Sequence, residues 1–195
     1  MLDARHTQAL TGRALSLSAI QQHSKALQDF NQAIALNPRT PKIYMQRGVA
    51  RDAMGDRDGA IQDYSKAIAL DPRRPHFYFN RGNVKARQGD HQGAIQDYSE
   101  VLSLNPNANK AWTNRALSKV ALRDHKGAYE DLTQSIRLDG TDAVAYATRG
   151  DLLVEVGKRK EGLQDLQEGA KLFREQGKFS LYRKAIAKIS QILKP

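Results

Sequence analysis

The chain has 195 residues and a formal net charge of +10, with 31 Lys and Arg against 21 Asp and Glu. Hydrophobic residues make up 40% and charged residues 27%, the balance of a folded chain rather than a disordered one. Cysteine is absent, which excludes disulfides, thiol nucleophiles and thiolate metal sites, and no run approaches the roughly 18 apolar residues of a membrane span. The basic surplus suggests nucleic acid, anionic membrane or acidic protein partners without choosing among them.

The stretch over residues 1–21 has no unbroken apolar core and no small-residue cleavage site, which argues against a secretory signal and for a cytoplasmic protein. Beyond it, four strings recur at a spacing of 34: Leu36-Asn37-Pro38, Leu70-Asp71-Pro72, Leu104-Asn105-Pro106 and Leu138-Asp139-Gly140. They divide the chain into units at 7–40, 41–74, 75–108, 109–142 and 143–176, followed by a tail.

Within a unit, positions 3, 4, 7, 8, 10, 11 and 14 make one helical stripe, and positions 20, 21, 24, 27, 28 and 30 make a second. Turn formers such as Gly55-Asp56 and Gly89-Asp90 separate the stripes, and Asn-Pro or Asp-Pro ends the second one, because proline lacks the N–H and restrains its neighbour. Each unit therefore reads as a helix–turn–helix. Position 4 is Leu10, Tyr44, Tyr78, Trp112 and Tyr146; position 24 is Phe30, Tyr64, Tyr98, Leu132 and Leu166. These large residues face small ones at position 8 (Ala14, Gly48, Gly82, Ala116, Gly150) and position 20 (Ala26, Ala60, Ala94, Ala128, Gly162). That alternation lets two helices approach and interdigitate. One face of each unit stays apolar until a neighbour stacks on it.

The pattern Tyr78, Gly82, Ala94, Tyr98, Pro106 resembles the tetratricopeptide repeat (TPR) family, over residues 7–176. The resemblance implies an all-α fold: an α-solenoid of five stacked helix-turn-helix units in a right-handed superhelix, one domain over 1–195, closed by a capping helix at 177–194. The departures are Arg in place of the usual apolar residue at position 7, Gly140 in place of proline, and Gly162 and Gly169, which thin the second helix of the last unit. That unit is expected to pack loosely.

Position 7 is arginine in every unit (Arg13, Arg47, Arg81, Arg115, Arg149), and position 23 is aspartate (Asp29, Asp63, Asp97, Asp131, Asp165). An arginine on the packed face needs a partner, because an unpaired buried charge costs several kcal/mol, and its planar fork suits a carboxylate. The expectation is a ladder of partly buried bridges within or between units; the other reading is arginine lining an anion site. Five equivalent carboxylates in identical contexts are scaffold, not catalysis. The histidines at position 17 (His23, His91, His125) lie at least 34 residues apart and do not have metal-ligand spacing. There is no Gly-rich phosphate loop after a strand and no converging nucleophile, histidine and acid, so neither an enzyme nor a cofactor is expected.

The tail reads as a helix with Phe179, Tyr182, Ile186, Ile189 and Leu193 on one face and Arg183, Lys184 and Lys188 on another. Its stripe suits a cap over the last unit; the alternative is a basic amphipathic helix docking on a membrane or a partner.

By the resemblance, groove residues fall at positions 2, 5, 6, 9, 12 and 13 of the first helices. In the second unit these include Lys42, Met45 and Gln46. The third supplies Phe79, Asn80, Asn83 and Arg87, and the fourth Lys110 and Asn114. Asparagine can hold an extended peptide backbone with one donor and one acceptor, Lys110 and Arg87 favour a carboxylate, and Met45 and Phe79 offer adaptable apolar contact. The carboxylate clamp of chaperone adaptors is matched only at Asn80 and Lys110, with Met45, Val49 and Asn114 departing from it, so a chaperone-tail receptor is not expected.

The expected function is a non-catalytic interaction scaffold or adaptor that binds a peptide, or an acidic segment, of a partner protein, with a monomer favoured. The alternative is a basic surface that binds nucleic acid or anionic membrane. Asp52, Asp151 and Glu155 in the groove, and aromatics not interleaved with a basic run, argue against nucleic acid. The charge itself divides: five arginines cancel five aspartates, and Lys178, Arg183, Lys184, Lys188 and Lys194 place half the surplus in an acid-free tail.

Overall fold

The computed structural model describes residues 2–194; Met1 and Pro195 of the expected 1–195 domain lie outside the described residues. Every regular element among these is an α-helix. The chain divides into two compact units, one up to Asn105 and one from Pro106. The first holds α1 (Leu2–Ala19), α2 (His23–Leu36), α3 (Pro41–Ala53), α4 (Arg57–Leu70), α5 (Pro75–Arg87) and α6 (His91–Leu104). There α1 packs on α2, α3 on α4 and α5 on α6, while α2 on α3 and α4 on α5 join successive hairpins. The second holds α7 (Asn109–Ala121), α8 (His125–Leu138), α9 (Ala143–Glu155), α10 (Arg159–Glu175) and α11 (Phe179–Leu193), with α7 on α8, α8 on α9, and α10 against both α9 and α11. Each is a solenoid-like run of helical hairpins. Among the described residues, no helix is long and apolar enough to cross a membrane.

Local chemistry sets the helix ends. Pro41 and Pro75 open α3 and α5, where the missing N–H costs nothing. The N-cap aspartates Asp56, Asp90 and Asp124 accept hydrogen bonds from the backbone N–H of Gly59, Gly93 and Gly127 at 2.9–3.0 Å. The residue before each cap needs a left-handed backbone, and Gly55 and Gly89 supply it at φ 85° and 86°. Arg123 holds the same conformation at φ 61° without a glycine's freedom.

Burial follows the large–small alternation. Phe30, Tyr64, Tyr98, Leu132 and Leu166 are buried, as are the alanines at position 20. A Cβ on Gly48 would sit 2.8 Å from the Tyr64 ring, and one on Gly82 2.9 Å from the Tyr98 ring. The loose packing expected of the last pair does not occur. A Cβ on Gly150 would meet the Gly162 carbonyl oxygen at 2.8 Å, and one on Gly169 would meet the Ala147 nitrogen at 3.0 Å. Glycine here brings the α9 and α10 backbones into direct contact instead of leaving a gap.

All five arginine–aspartate pairs form within their hairpins. In each, Nε and Nη2 donate to the two carboxylate oxygens at 2.6–3.0 Å. The remaining Nη1 reaches the preceding hairpin: Arg47 donates to Asn31 at 2.7 Å, Arg81 to Ser65 at 2.9 Å and Arg149 to Thr133 at 3.3 Å. The bridges thus act both within and between hairpins. A second cation joins the middle aspartates, with Arg51 3.0 Å from Asp63, Lys85 3.0 Å from Asp97 and Lys119 2.8 Å from Asp131. Leu17 and Leu153 occupy that place in the outer pairs. The guanidiniums of Arg47, Arg81, Arg115 and Arg149 also lie over the position-4 rings, closest for Arg115 on Trp112 at 4.8 Å.

The tail helix departs from its expected single stripe. Ala185 and Ile189, with Tyr182 and Ile192, pack on the last pair, whereas Phe179, Ile186 and Leu193 remain exposed. A contact made chiefly with α10 covers only one arc of α11. Arg159 fixes its far end, its guanidinium donating to the carbonyls of Ile192 and Lys194.

Asp97→Asn leaves Arg81 and Lys85 facing a neutral amide and is expected to destabilise by about 3 kcal/mol in denaturant titration. Asp29→Asn should cost clearly less, because the Arg13 side chain is 65% exposed against 19% for Arg81. Equal losses at the two sites would refute the burial argument. Gly82→Ala is expected to cost about 2 kcal/mol by driving a methyl into the Tyr98 ring, measured in the same way.

Candidate functional site

The first helix of each hairpin carries the expected groove residues. In the first unit α3 bears Lys42, Met45 and Gln46, and α5 bears Phe79, Asn80, Asn83 and Arg87. Lys42 and Arg87 are exposed and the others half-buried. The structure brings Lys42 and Gln46 to the wall of a groove of about 480 Å³ between α1 and α3, facing Gln8, Thr11 and Leu15. Gln46 Oε1 is buried there without a hydrogen-bond partner.

Two predicted ligand contacts are committed elsewhere. The Arg87 guanidinium pairs with Asp52 of α3, so it links neighbouring first helices. Asn83 Oδ1 accepts a hydrogen bond from the Tyr98 hydroxyl at 2.8 Å. Phe79 packs its ring 5.9 Å from that of Tyr98, which leaves it half-buried. Asn80 lies one residue further along the same turn. The neighbouring His76 is exposed, yet partial burial beside Arg74 holds its imidazole below its usual range.

In the second unit Lys110 and Asn114 of α7 line a polar pocket of about 390 Å³ with Asp139, Asp142, Gln176 and Lys178. Its floor is a hydrogen-bond cluster that no sequence motif announced. Thr113 donates to Asp142 Oδ2 at 2.6 Å, and Ser135 donates to Asn109 Oδ1 at 2.6 Å. Asn109 Nδ2 lies 3.2 Å from Asp139 Oδ2 and 3.4 Å from Asp142 Oδ2. The other oxygen of Asp142 caps α9, accepting from the N–H groups of Val144 and Ala145 at 3.1 Å. The Thr141 hydroxyl, with its backbone N–H, holds the Asp139 carboxyl below the usual carboxylate range. One signal could have found this cluster. At its positions the second and third hairpins carry Pro41 and Pro75, Met45 and Phe79, and Ala67 and Val101. The fourth period replaces all three apolar types with polar ones at once.

The histidines expected at the interhelix turn are the first residues of α2, α6 and α8. Among the described residues no group of three or more His, Asp or Glu is placed to hold a metal.

Helical hairpins at this period, with these small–large contacts, define a class of solenoid-like repeat protein. Residues 53–89 match the family described as TPR repeat and residues 76–108 match the tetratricopeptide repeat family. Residues 53–108 of the chain thus carry tetratricopeptide repeats. No curated protein matches it significantly in sequence. Among solved structures it is similar to MamA from Desulfovibrio magneticus RS-1, with TM-score 0.81 and 16% identity over 88% of this chain and 97% of that one. It is similar to PilF of Pseudomonas aeruginosa, with TM-score 0.75 and 18% identity over 100% and 93% of the two chains. YrrB, described as a TPR protein with an unusual peptide-binding site, gives TM-score 0.73 and 16% identity over 84% of each chain. At these identities the likeness is one of fold. Proteins built from such repeats are generally non-catalytic interaction scaffolds.

Because the folded Asp139 carboxyl titrates below its unfolded value, its contribution to stability is present above the unfolded value and is lost as pH falls through the folded one. Thr141→Val should move the Asp139 titration upward toward an ordinary carboxylate, read by NMR. An unmoved titration would remove the hydroxyl as its cause.

Proposed function

We propose that the chain is a non-catalytic adaptor whose first-helix faces hold an extended peptide, acidic in part, from a partner protein. One observation carries the reading: Lys42 and Gln46 line a groove of about 480 Å³ between α1 and α3 with Gln8, Thr11 and Leu15. The Gln46 carboxamide carries the donor and acceptor types that an extended peptide backbone pairs with. Lys42 beside it favours a carboxylate on the same peptide. Lys110 and Asn114 line a pocket of comparable size in the second unit.

The period passes through Leu104-Asn105-Pro106 without an insertion, which supports the five units acting as a single domain and winding as a right-handed superhelix. Met45, Phe79 and Asn80 supply further contact surface, while Asn83 and Arg87 serve it indirectly through Tyr98 and Asp52. YrrB, with its peptide-binding site, is a fold neighbour that uses the same kind of scaffold for a peptide. A cytoplasmic monomer goes with this reading, and no cofactor has a part in it.

Lys42→Ala combined with Gln46→Ala should weaken capture of partner peptides about tenfold while leaving the melting temperature within about a degree, since both side chains face the groove. Binding measured on a peptide array should survive moderate salt. A steep fall with salt, shared by the double variant, would point to nucleic acid instead. Unchanged binding in the double variant would overturn the groove reading.

A further inference from the structure

The outer face of α11 has no use in the groove reading. Phe179, Ile186 and Leu193 are 57%, 43% and 59% exposed. They stand seven residues apart, so they form one line along the helix. Such a line is half of a helix-pairing seam. The other half, at Tyr182 and Ile189, is already packed on the last hairpin. A partner helix would therefore meet only alternate knobs of a seam, too narrow a stripe to bury.

Charge narrows the occupant further. From Gly177 to Lys194 there are five cations and no acid. Lys188 pairs with Asp151 at 2.7 Å. Arg183, Lys184 and Lys194 form no ion pair among the described residues and are exposed. A second copy of this helix would bring like charges together, which disfavours self-association through it. Arg183 and Lys194 lie along the open side of the ridge, and a surface that takes a thin apolar ridge edged by cations, and conforms around it, is a bilayer with anionic headgroups.

We infer that α11 is a peripheral membrane-docking helix, which lays Phe179, Ile186 and Leu193 into the interface of an anionic bilayer with Arg183 and Lys194 on its headgroups. The helix stays folded on α10 throughout, held by Ala185, Ile189 and the Arg159 cap. Docking therefore needs no unfolding of the cap, and the groove residues on α3 and α7 are not part of the contact.

The test is co-sedimentation of the full chain with phosphatidylcholine vesicles with and without phosphatidylglycerol. The chain is expected to pellet with the anionic vesicles at low salt and to stay in solution with pure phosphatidylcholine. Arg183→Gln and Lys194→Gln together should weaken binding roughly thirtyfold. Phe179→Ser, Ile186→Ser and Leu193→Ser together should weaken it at least about tenfold. Circular dichroism must show both variants as helical as the parent; the five side chains are outward-facing, so their loss should leave the hairpins intact. No pelleting with anionic vesicles, or equal pelleting of the Ser variant, would overturn the proposal. If vesicles are ignored while an acidic helical peptide is retained by α11, the stripe belongs to a protein partner. Peptide capture by the groove is read separately with the Lys42 and Gln46 variant, so failure of one reading is distinguishable from failure of the other.

Discussion

A carboxylate buried between two helices has to be neutralised by something nearby, and this requirement organises every hairpin of the chain. Asp29, Asp63, Asp97, Asp131 and Asp165 are all buried, and each receives a two-pronged guanidinium from the opposite helix. Bidentate geometry fixes the register of the two helices as well as their distance. Desolvation offsets much of the Coulombic gain in such a pair, so its main consequence is specificity: a slipped hairpin would strand a charge in the core. The third nitrogen then fixes the next contact. By reaching Asn31, Ser65 or Thr133 it ties one hairpin to its predecessor, and the same side chain governs local fold and stacking.

The apolar contacts fill in around this polar frame. Ring-against-glycine packing at Gly48 and Gly82 gives way to backbone-against-backbone packing at Gly150 and Gly162. Both solutions reach close contact, by opposite means. In the first a large side chain occupies the space beside a missing Cβ. In the second, Cβ atoms are missing on both helices and the helices themselves close in. The last hairpin is consequently tight, and it gives α11 a firm platform.

On this frame the groove-facing helices are free to vary, and they do. Apolar and proline side chains around α3 and α5 become Asn109, Thr113 and Ser135 around α7. A pocket floored by hydroxyl and amide groups results in the second unit, whereas Phe79 and Tyr98 make an aromatic contact in the first. The net charge separates in the same manner. Arginines at position 7 are all neutralised by their aspartates, and half of the surplus lies in the acid-free tail while the rest is spread over the repeats.

The sequence by itself determined the period, the helix boundaries near glycine and proline, the large–small alternation and the pairing of Arg with Asp. These depend on repetition and on contacts a fixed number of residues apart, which a single chain displays when read against itself. Tertiary structure alone decided which groove candidates are engaged by other side chains of the chain. Asn83 and Arg87 look like Asn80 and Lys42 in the sequence, yet Tyr98 and Asp52 reach them across helix neighbours that no local spacing encodes. It also decided that Gly162 tightens the last hairpin and that α11 buries Ile189 while exposing Ile186. In each case the outcome depends on the distance and rotation between two packed helices. Those quantities are set by all the side chains at the contact together, and no single residue type reveals them.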